Sequence, residues 1–242
     1  LYAPHNPSGE LDLYDPANRT GTLTAEWITD RAAFLAWKNQ YFTTDGVTLR
    51  STRDENYLFE NRDDAGKPDL SLTVVGNLAA GGNSGAAANP AQVVFGNSGV
   101  DVLTGGILSD RLYGGAGTDW LEGKAGSDYL EGGFGLDLYN YSAFTGFLGI
   151  SGNDGADVIR DTDGLGVLRY VFNDNGVVNS TIITDASVRV SGLQWNSADG
   201  RFTYIRSQED LLITMNTAGG GSLTLKDFKD GDFGIRLWEA RA

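Results

Sequence analysis

The stretch GNSGVDVLTGGILSDRLYGGAGTDWLEGKAGSDYLEGGFGLDLYN, residues 96–140, consists of five consecutive copies of a nine-residue unit. The sixth residue of every copy is an aspartate, and the copies begin at Gly96, Gly105, Gly114, Gly123 and Gly132. They follow the template G-G-x-G-x-D-x-U-x, in which U is a large apolar residue. A flexible linker rich in glycine and aspartate has no reason to keep a large apolar residue at strict nine-residue spacing. The period therefore predicts a regular structure for this stretch.

The template has a direct geometric interpretation. The six glycine-rich residues suit a tight turn, because glycine accepts positive φ angles and lets backbone carbonyls converge. The last three residues suffice for a short strand, so two copies make one coil of 18 residues and residues 18 apart stack. One edge then carries Asp101, Asp119 and Asp137, and the other carries Asp110 and Asp128. The middle strand residues point inward as the core: Leu103, Leu112, Leu121, Leu130 and Tyr139.

The stacked aspartates predict a cation site. Neighbouring strands lie about 4.8 Å apart, and carboxylates held that close repel each other unless a cation lies between them. Calcium fits best, because it is a hard ion that takes about six to eight oxygen ligands at about 2.3–2.6 Å. The chain has no cysteine and one histidine, His5, which leaves zinc, copper and iron–sulfur centres almost without ligands. The gaps between stacked aspartates predict about three sites, two on the first edge and one on the second.

The candidate ligands are the repeat aspartates and the backbone carbonyls at the first and third positions of the turns. The set comprises Asp101, Asp110, Asp119, Asp128 and Asp137, with the carbonyls of Gly96, Ser98, Gly105, Ile107, Gly114, Ala116, Gly123 and Ala125. Two residues depart from the template, Leu108 at the fourth position of the second copy and Lys124 at the second position of the fourth. Because Leu108 has to tolerate a turn that favours glycine, we expect weaker calcium binding at Asp110.

The period fails after Asn140 and returns in part at residues 152–159, GNDGADVI. Asp154 and Asp157 are therefore further candidate ligands, and residues 161–164, DTDG, follow them directly. This region fits either an additional calcium site or an ordinary turn stabilised by aspartate side chains.

The repeats resemble those of the RTX (repeats-in-toxin) family, proteins that Gram-negative bacteria secrete. The resemblance implies a parallel β-roll that binds calcium, located in the C-terminal part of a protein exported by the type I secretion machinery. Residues 225–238, LKDFKDGDFGIRLW, resemble the C-terminal flank of such proteins, where the uncleaved secretion signal lies. Residues 30–41, DRAAFLAWKNQY, resemble segments of large RTX proteins that carry a lipase-like or other hydrolase domain upstream of the roll.

The flanks of the repeats differ in pattern from the repeats themselves. Residues 24–41 predict a helix with Thr24, Thr29 or Asp30 as N-cap and with Arg31 and Lys38 on its wetter side. Residues 76–95 are a small, polar lead-in with possible degenerate turns, and short alternating strands begin at residue 166. We therefore predict a mainly β chain in three parts: an N-terminal flanking segment (1–90), the calcium-binding β-roll (91–165), and a C-terminal antiparallel β cap with the probable secretion signal (166–242).

One face of the roll also invites a prediction. Because the residues beside the middle strand position point outward, Val102, Trp120 and Leu138 should form an outward apolar row. A tryptophan in such a row is usually covered, and the helix at 24–41 or a C-terminal strand is the expected cover. A partner surface is the alternative.

Composition limits the functional classes. The 242-residue chain is 40% hydrophobic and carries a net charge of −14, which argues against nucleic acid and anionic membrane surfaces as partners. No apolar run approaches the ~20 residues of a membrane span. The absence of cysteine fits a secreted bacterial protein. Because the chain begins at Leu1 and contains a single methionine, Met215, we expect it to be part of a longer protein.

Three functional hypotheses follow. The first is a calcium-binding module that folds in extracellular calcium and supports secretion, folding and stability of an upstream domain. The second is an adhesin or polysaccharide-binding module. The third is a fragment with residual hydrolase activity, although the chain has no G-x-S-x-G motif and no catalytic constellation, and its one histidine is more plausible as a surface residue.

Overall fold

The computed structural model describes residues 11–41, 57–61, 73–75, 91–96, 98–142, 154–174, 176–217 and 220–238. These residues contain one α-helix, α1 (Ala25–Tyr41), one 3-10 helix (Asp232–Gly234) and sixteen strands. The strands are β1 (Tyr57–Asn61), β2 (Thr73–Val75), β3 (Ala91–Phe95), β4 (Val102–Thr104), β5 (Arg111–Ala116), β6 (Trp120–Glu122), β7 (Tyr129–Phe134), β8 (Leu138–Ser142), β9 (Ala156–Arg160), β10 (Val167–Asp174), β11 (Val177–Ile182), β12 (Val188–Ser191), β13 (Gln194–Asn196), β14 (Phe202–Ser207), β15 (Asp210–Met215) and β16 (Ser222–Leu225). None of the described helices is long and apolar enough to cross a membrane.

The repeats form a parallel β-roll, as the period predicts. Strands β4, β6 and β8 pair in parallel in one sheet, while β5 and β7 pair in parallel in the other. The register follows the 18-residue coil, because Leu103 lies opposite Leu121, and Leu121 lies opposite Tyr139. The mainly β fold class with a parallel roll is confirmed.

The core lies between the two sheets of the roll. The middle residue of each short strand is inside it: Leu103, Leu112, Leu121, Leu130 and Tyr139 are all at most 1% exposed. One such side chain contributes about 1.5–3 kcal/mol on burial. Each coil therefore adds a thin core layer, which is small beside the chain entropy that its 18 residues lose.

The roll extends beyond the five contiguous copies in both directions. On the N-terminal side, β3 pairs in parallel with β5, and Val94 lies opposite Leu112. On the C-terminal side, β9 pairs in parallel with β7, and Ile159 lies opposite Leu130. Strand β9 is therefore a further strand of the roll, displaced by 29 residues from β7 instead of 18.

Helix α1 packs on the outer face of β3, β5 and β7. Its N-cap is Thr24, whose Oγ1 accepts a hydrogen bond from Trp27 N at 3.1 Å, as predicted. Trp27 makes an edge-to-face contact with Phe95 at 5.9 Å between ring centroids. Arg31 is only 6% exposed, with its guanidinium 5.0 Å from the centre of the Phe95 ring. The prediction that Arg31 marks the wetter side is wrong, because its cation lies over the aromatic rings that the helix covers.

The apolar row Val102, Trp120 and Leu138 lies on the other sheet, so α1 does not cover it. Val102 and Leu138 are half-buried and Trp120 is 37% exposed. The Arg169 guanidinium lies 5.9 Å from the centre of the Trp120 ring. The expectation that α1 covers this row is wrong, because the aromatic side chains Phe95 and Tyr113 attract the helix to the opposite sheet.

The C-terminal strands continue both sheets of the roll. β10 pairs in parallel with β8 and antiparallel with β11, while β16 pairs in parallel with β9 and leads into the antiparallel run β15–β14–β13–β12. The predicted antiparallel strands are therefore present, with β13 as an addition. Ten strands form one sheet and six form the other among the described residues. The sheets thus run across the predicted boundaries at residues 90 and 165.

Candidate calcium site

The aspartates of the repeats form two ladders along the edges of the roll. On the first edge, Asp101 N donates to Asp119 Oδ1 at 2.8 Å, and Asp119 N donates to Asp137 Oδ1 at 2.9 Å. On the second edge, Asp110 N donates to Asp128 Oδ1 at 2.7 Å. One oxygen of each downstream carboxylate is therefore used to hold successive coils in register.

The other carboxylate oxygen is buried without a partner at three positions. Asp119 Oδ2, Asp128 Oδ2 and Asp137 Oδ2 make no hydrogen bond, and these aspartates are at most 1% exposed. A buried ionised oxygen without a partner is costly, so such groups are normally paired or bound to a metal. These oxygens fit a hard cation such as calcium.

Burial also makes ionisation of the ladder unfavourable. Loss of hydration, followed by repulsion from the neighbouring aspartates, raises the pKa of Asp119 to about 8. The same two causes act on Asp128, where hydration loss is the largest and the pKa is also raised to about 8. At neutral pH a cation is therefore needed for both carboxylates to be charged in the folded roll.

The glycines at the first turn position make room for the carboxylates. A side chain at Gly96, Gly105, Gly114 or Gly123 would collide with Oδ2 of the aspartate five residues later in the same copy. The carbonyl of Gly114 also lies against Gly96, and that of Gly132 lies against Gly114. First-position backbone and carboxylate oxygens are thus brought together on each edge.

The third turn positions lie farther out. Ser98 and Ile107 are exposed, and Ala116 and Ala125 are half-buried. Ala125 N donates to Gly106 O at 3.2 Å, which ties adjacent turns together. Calcium ligation by the carbonyls of these residues stays a prediction. In the described parts of the chain no three carboxylates converge on one point, so turn carbonyls would have to complete each coordination sphere.

Asp157 continues the second ladder. Asp128 N donates to Asp157 Oδ1 at 2.9 Å, which gives Asp157 the place of a sixth repeat aspartate. Asp154 lies beside it, and its Oδ2 accepts a hydrogen bond from Ser142 N. Both residues are at most 4% exposed. The second edge thus contains three aspartates and two gaps, whereas counting along the contiguous copies gave one gap.

The turns of the second and fourth copies each contain a residue that departs from the template, Leu108 and Lys124, and the two residues differ in backbone conformation. Leu108 is 44% exposed and has no positive φ angle. In contrast, the equivalent Gly117 and Gly126 have φ of 138° and 141°. The turn around Leu108 therefore has a different backbone path from those that follow. Lys124 does adopt a left-handed conformation, with φ of 70°, at a position where Gly115 has φ of 111°.

This geometry predicts that Lys124→Gly stabilises the protein relative to Lys124→Ala by about 1 kcal/mol, because a β carbon in the left-handed region costs about 1–2 kcal/mol. Both variants remove the same charge, so their difference isolates the backbone term. Thermal or urea denaturation in calcium measures it. Equal stability of the two variants would contradict a left-handed Lys124.

His5 lies outside the residues that the structure describes, and the repeat aspartates are arranged as ladders along the roll.

Comparison with protein families agrees with the geometry. Residues 93–112 and 104–139 match the family model of the RTX calcium-binding nonapeptide repeat, with four copies. Searches of the curated proteins and of the solved structures gave no match. The matched region coincides with strands β3 to β8. The chain therefore carries an RTX calcium-binding module, of the kind typical of secreted bacterial proteins.

Proposed function

We propose that this chain, which carries RTX calcium-binding nonapeptide repeats, is a folding switch operated by extracellular calcium. The observation that carries the proposal is the pair of buried aspartate ladders, in which Oδ2 of Asp119, Asp128 and Asp137 lacks a hydrogen-bond partner. In this proposal calcium lies in the gaps of each ladder, held by carboxylates and turn carbonyls. The gaps number two on each edge, between Asp101, Asp119 and Asp137, and between Asp110, Asp128 and Asp157.

The energetics favour a switch. Each site adds RT ln(1 + [Ca]/Kd) to the stability of the folded state, which is about 1.4 kcal/mol when calcium is ten times Kd. Four such sites would add about 6 kcal/mol, comparable with the whole stability of an ordinary domain, about 5–15 kcal/mol. Without calcium, the thin core and the repelling carboxylates favour the unfolded chain.

The switch suits export through a narrow channel. Extracellular calcium modules have Kd of about 10⁻⁴–10⁻³ M, far above the calcium level inside a cell. The repeats would stay unfolded in the producing Gram-negative bacterium, pass through the type I secretion machinery and fold outside. The folded roll would then stabilise the upstream domain of the parent protein, which we propose is a secreted hydrolase such as a lipase.

The C-terminal strands have a capping role in this proposal. The last coil of a roll leaves an open sheet edge, which needs cover or pairing. β16 pairs with β9, and β10 pairs with β8, so both open edges of the roll continue into the C-terminal part. Residues 225–238, which resemble the secretion flank, fold directly after β16. We propose that the exported signal becomes part of the cap.

A calcium titration of the metal-stripped chain tests the proposal. We expect cooperative gain of β signal in circular dichroism with a midpoint of about 0.1–1 mM calcium. Magnesium at equal concentration should not substitute, because it demands octahedral geometry at shorter distances. A spectrum and melting temperature that do not change after complete removal of calcium would disprove the switch.

The half-exposed Trp120 favours binding of a polysaccharide as a second candidate function. An aromatic ring with a neighbouring guanidinium from Arg169 can stack on a sugar ring and bond to its hydroxyls. Glycan-array binding that is lost in Trp120→Ala, with calcium binding retained, would support this candidate. An adhesin that recognises polysaccharides would give the same result.

A further inference from the structure

We propose a calcium site beyond the repeats, between Asp137 and Asp161, that fastens the C-terminal segment to the roll. The inference rests on the proposed calcium-dependent function and extends it to residues outside the nine-residue template. The first ladder ends in sequence at Asp137, because the next coil has Gly166 where the repeat aspartate would stand. Val167 N donates to Asp137 O at 2.7 Å, just as Leu138 N donates to Asp119 O.

Asp161 supplies the carboxylate that Gly166 lacks. A side chain at Gly166 would collide with Asp161 Oδ2, so the carboxylate occupies the space of the missing side chain. Asp161 is only 4% exposed. Its Oδ1 accepts a hydrogen bond from Gly164 N at 2.7 Å, and its Oδ2 accepts one from Tyr139 Oη at 3.1 Å. A backbone amide and a tyrosine hydroxyl thus hold the Asp161 carboxylate beside Gly166.

The unpartnered oxygen of Asp137 faces this place. Asp137 is fully buried, and its Oδ2 has no hydrogen-bond partner. Both Asp137 Oδ2 and Tyr139 Oη lie against Gly132, and the same Tyr139 hydroxyl reaches Asp161. The gap after Asp137 therefore lies between two carboxylates, as the earlier gaps do. Asp137 Oδ2 is on one side and the Asp161 carboxylate is on the other.

A third carboxylate adds to the negative charge at this end of the ladder. Asp163 lies within hydrogen-bonding reach of the Asp161 carboxyl, and its Oδ2 accepts a hydrogen bond from Gly135 N at 2.9 Å. Arg19, from the N-terminal segment, forms an ion pair with Asp232 and donates to the Asp163 carbonyl at 3.2 Å. The carboxylate oxygens of Asp161 and Asp163 accept hydrogen bonds, whereas Asp137 Oδ2 accepts none and therefore still requires a cation.

The loop that holds Asp161 is also the docking point of the C-terminal segment. Phe233 N donates to Gly164 O at 3.1 Å, and the Phe233 ring contacts the Tyr139 ring edge-on at 5.8 Å between centroids. Asp232 joins the same junction through Arg19 from the N-terminal segment. An ion that orders residues 161–164 therefore orders the surface on which residues 232–235 lie.

The test compares Asp161→Asn with Asp185→Asn, which removes the same charge from an exposed position. In saturating calcium, Asp161→Asn should bind one calcium fewer than the parent, as counted by equilibrium dialysis. Hydrogen exchange at the Phe233 amide should become about tenfold faster or more, while amides of β4 to β7 stay protected. Asp185→Asn should match the parent in both measurements.

The outcomes separate this inference from the proposed function. A parent chain that binds no calcium would overturn the folding switch itself. A parent that binds calcium and an Asp161→Asn variant that binds the same number would overturn only the additional site. If Asp161→Asn fails to fold, Asp163→Asn gives the same calcium count test from the neighbouring carboxylate.

Discussion

Metal-stripped protein is expected to lose stability steadily as pH rises from about 4 to 8, whereas calcium-loaded protein gains stability as pH rises to about 4 and keeps it above that value. Without calcium, loss of hydration raises the pKa of Asp110 to about 6, of Asp119 and Asp128 to about 8, and of Asp157 to about 9. The ordinary value for aspartate is near 3.9. The folded chain therefore holds protons that the unfolded chain releases, and its stability falls as pH climbs through this interval.

Calcium reverses the sign of this dependence. A bound cation favours the charged carboxylates, so their pKa in the folded state falls below that of the unfolded chain. Stability is then present above about pH 4 and is lost as protons displace calcium at lower pH. One pKa unit at one group corresponds to about 1.4 kcal/mol. Several groups shift together, so the melting temperature at pH 8 should differ by about 10 °C or more between the two forms.

Thermal melting of the metal-stripped and calcium-loaded protein across this pH range measures the effect. Above about pH 4, stability should fall with rising pH in metal-stripped protein and should not fall in calcium-loaded protein. Parallel curves would mean that the ladder carboxylates do not bind calcium, whatever their burial.

The second large effect is expected at Asp119. Asp119→Asn should destabilise the calcium-loaded protein by about 2–4 kcal/mol, because it weakens the binding of ions on both of its sides. In metal-stripped protein at pH 8 the same substitution should stabilise, because it removes a buried charge next to Asp101 and Asp137. An asparagine Oδ1 can still accept the hydrogen bond from Asp101 N, so the ladder itself is retained.

Asp101→Asn is the matched control for this prediction. Asp101 is also fully buried, yet it lies at the beginning of the first ladder and borders one gap instead of two. Both effects should therefore be about half as large as at Asp119, since each gap contributes one ion. Urea denaturation compares the calcium-loaded variants, and the folded fraction seen by circular dichroism at pH 8 compares the metal-stripped variants. An effect of Asp119→Asn with the same sign in both conditions would contradict calcium binding between the coils.

The sequence alone determined the parallel roll and the identity of the ladder residues. A nine-residue period leaves one register, because the turn length and strand length repeat without variation. Leu103, Leu121 and Tyr139 must then stack, and so must Asp101, Asp119 and Asp137, as the structure confirms. Local chemistry also set the start of α1 at Thr24, since its hydroxyl can cap the helix wherever the helix packs.

The side on which α1 packs was decided by tertiary structure. Each short strand has two outward residues that compete for cover, and the first of them forms the apolar row Val102, Trp120 and Leu138 on one sheet. The residues at the third position of each strand decide which sheet α1 covers, because on one sheet they include the aromatic residues Phe95 and Tyr113. On the other sheet the equivalent residues are Thr104, Glu122 and Asn140. The aromatic residues at the third strand position therefore mark the sheet that α1 covers.

Tertiary structure also decided how the ladders end. Residues 152–160 fit the template, but the residues inserted before them remove the fixed distance from which an edge could be assigned. Only chain pairing places Asp157 after Asp128. Asp161 carries no template signal, because its carboxylate reaches the ladder through the space left by Gly166. A sequence period predicts which side chains stack only while it is unbroken. Where the period ends, the packing of the whole chain decides which side chains come into contact.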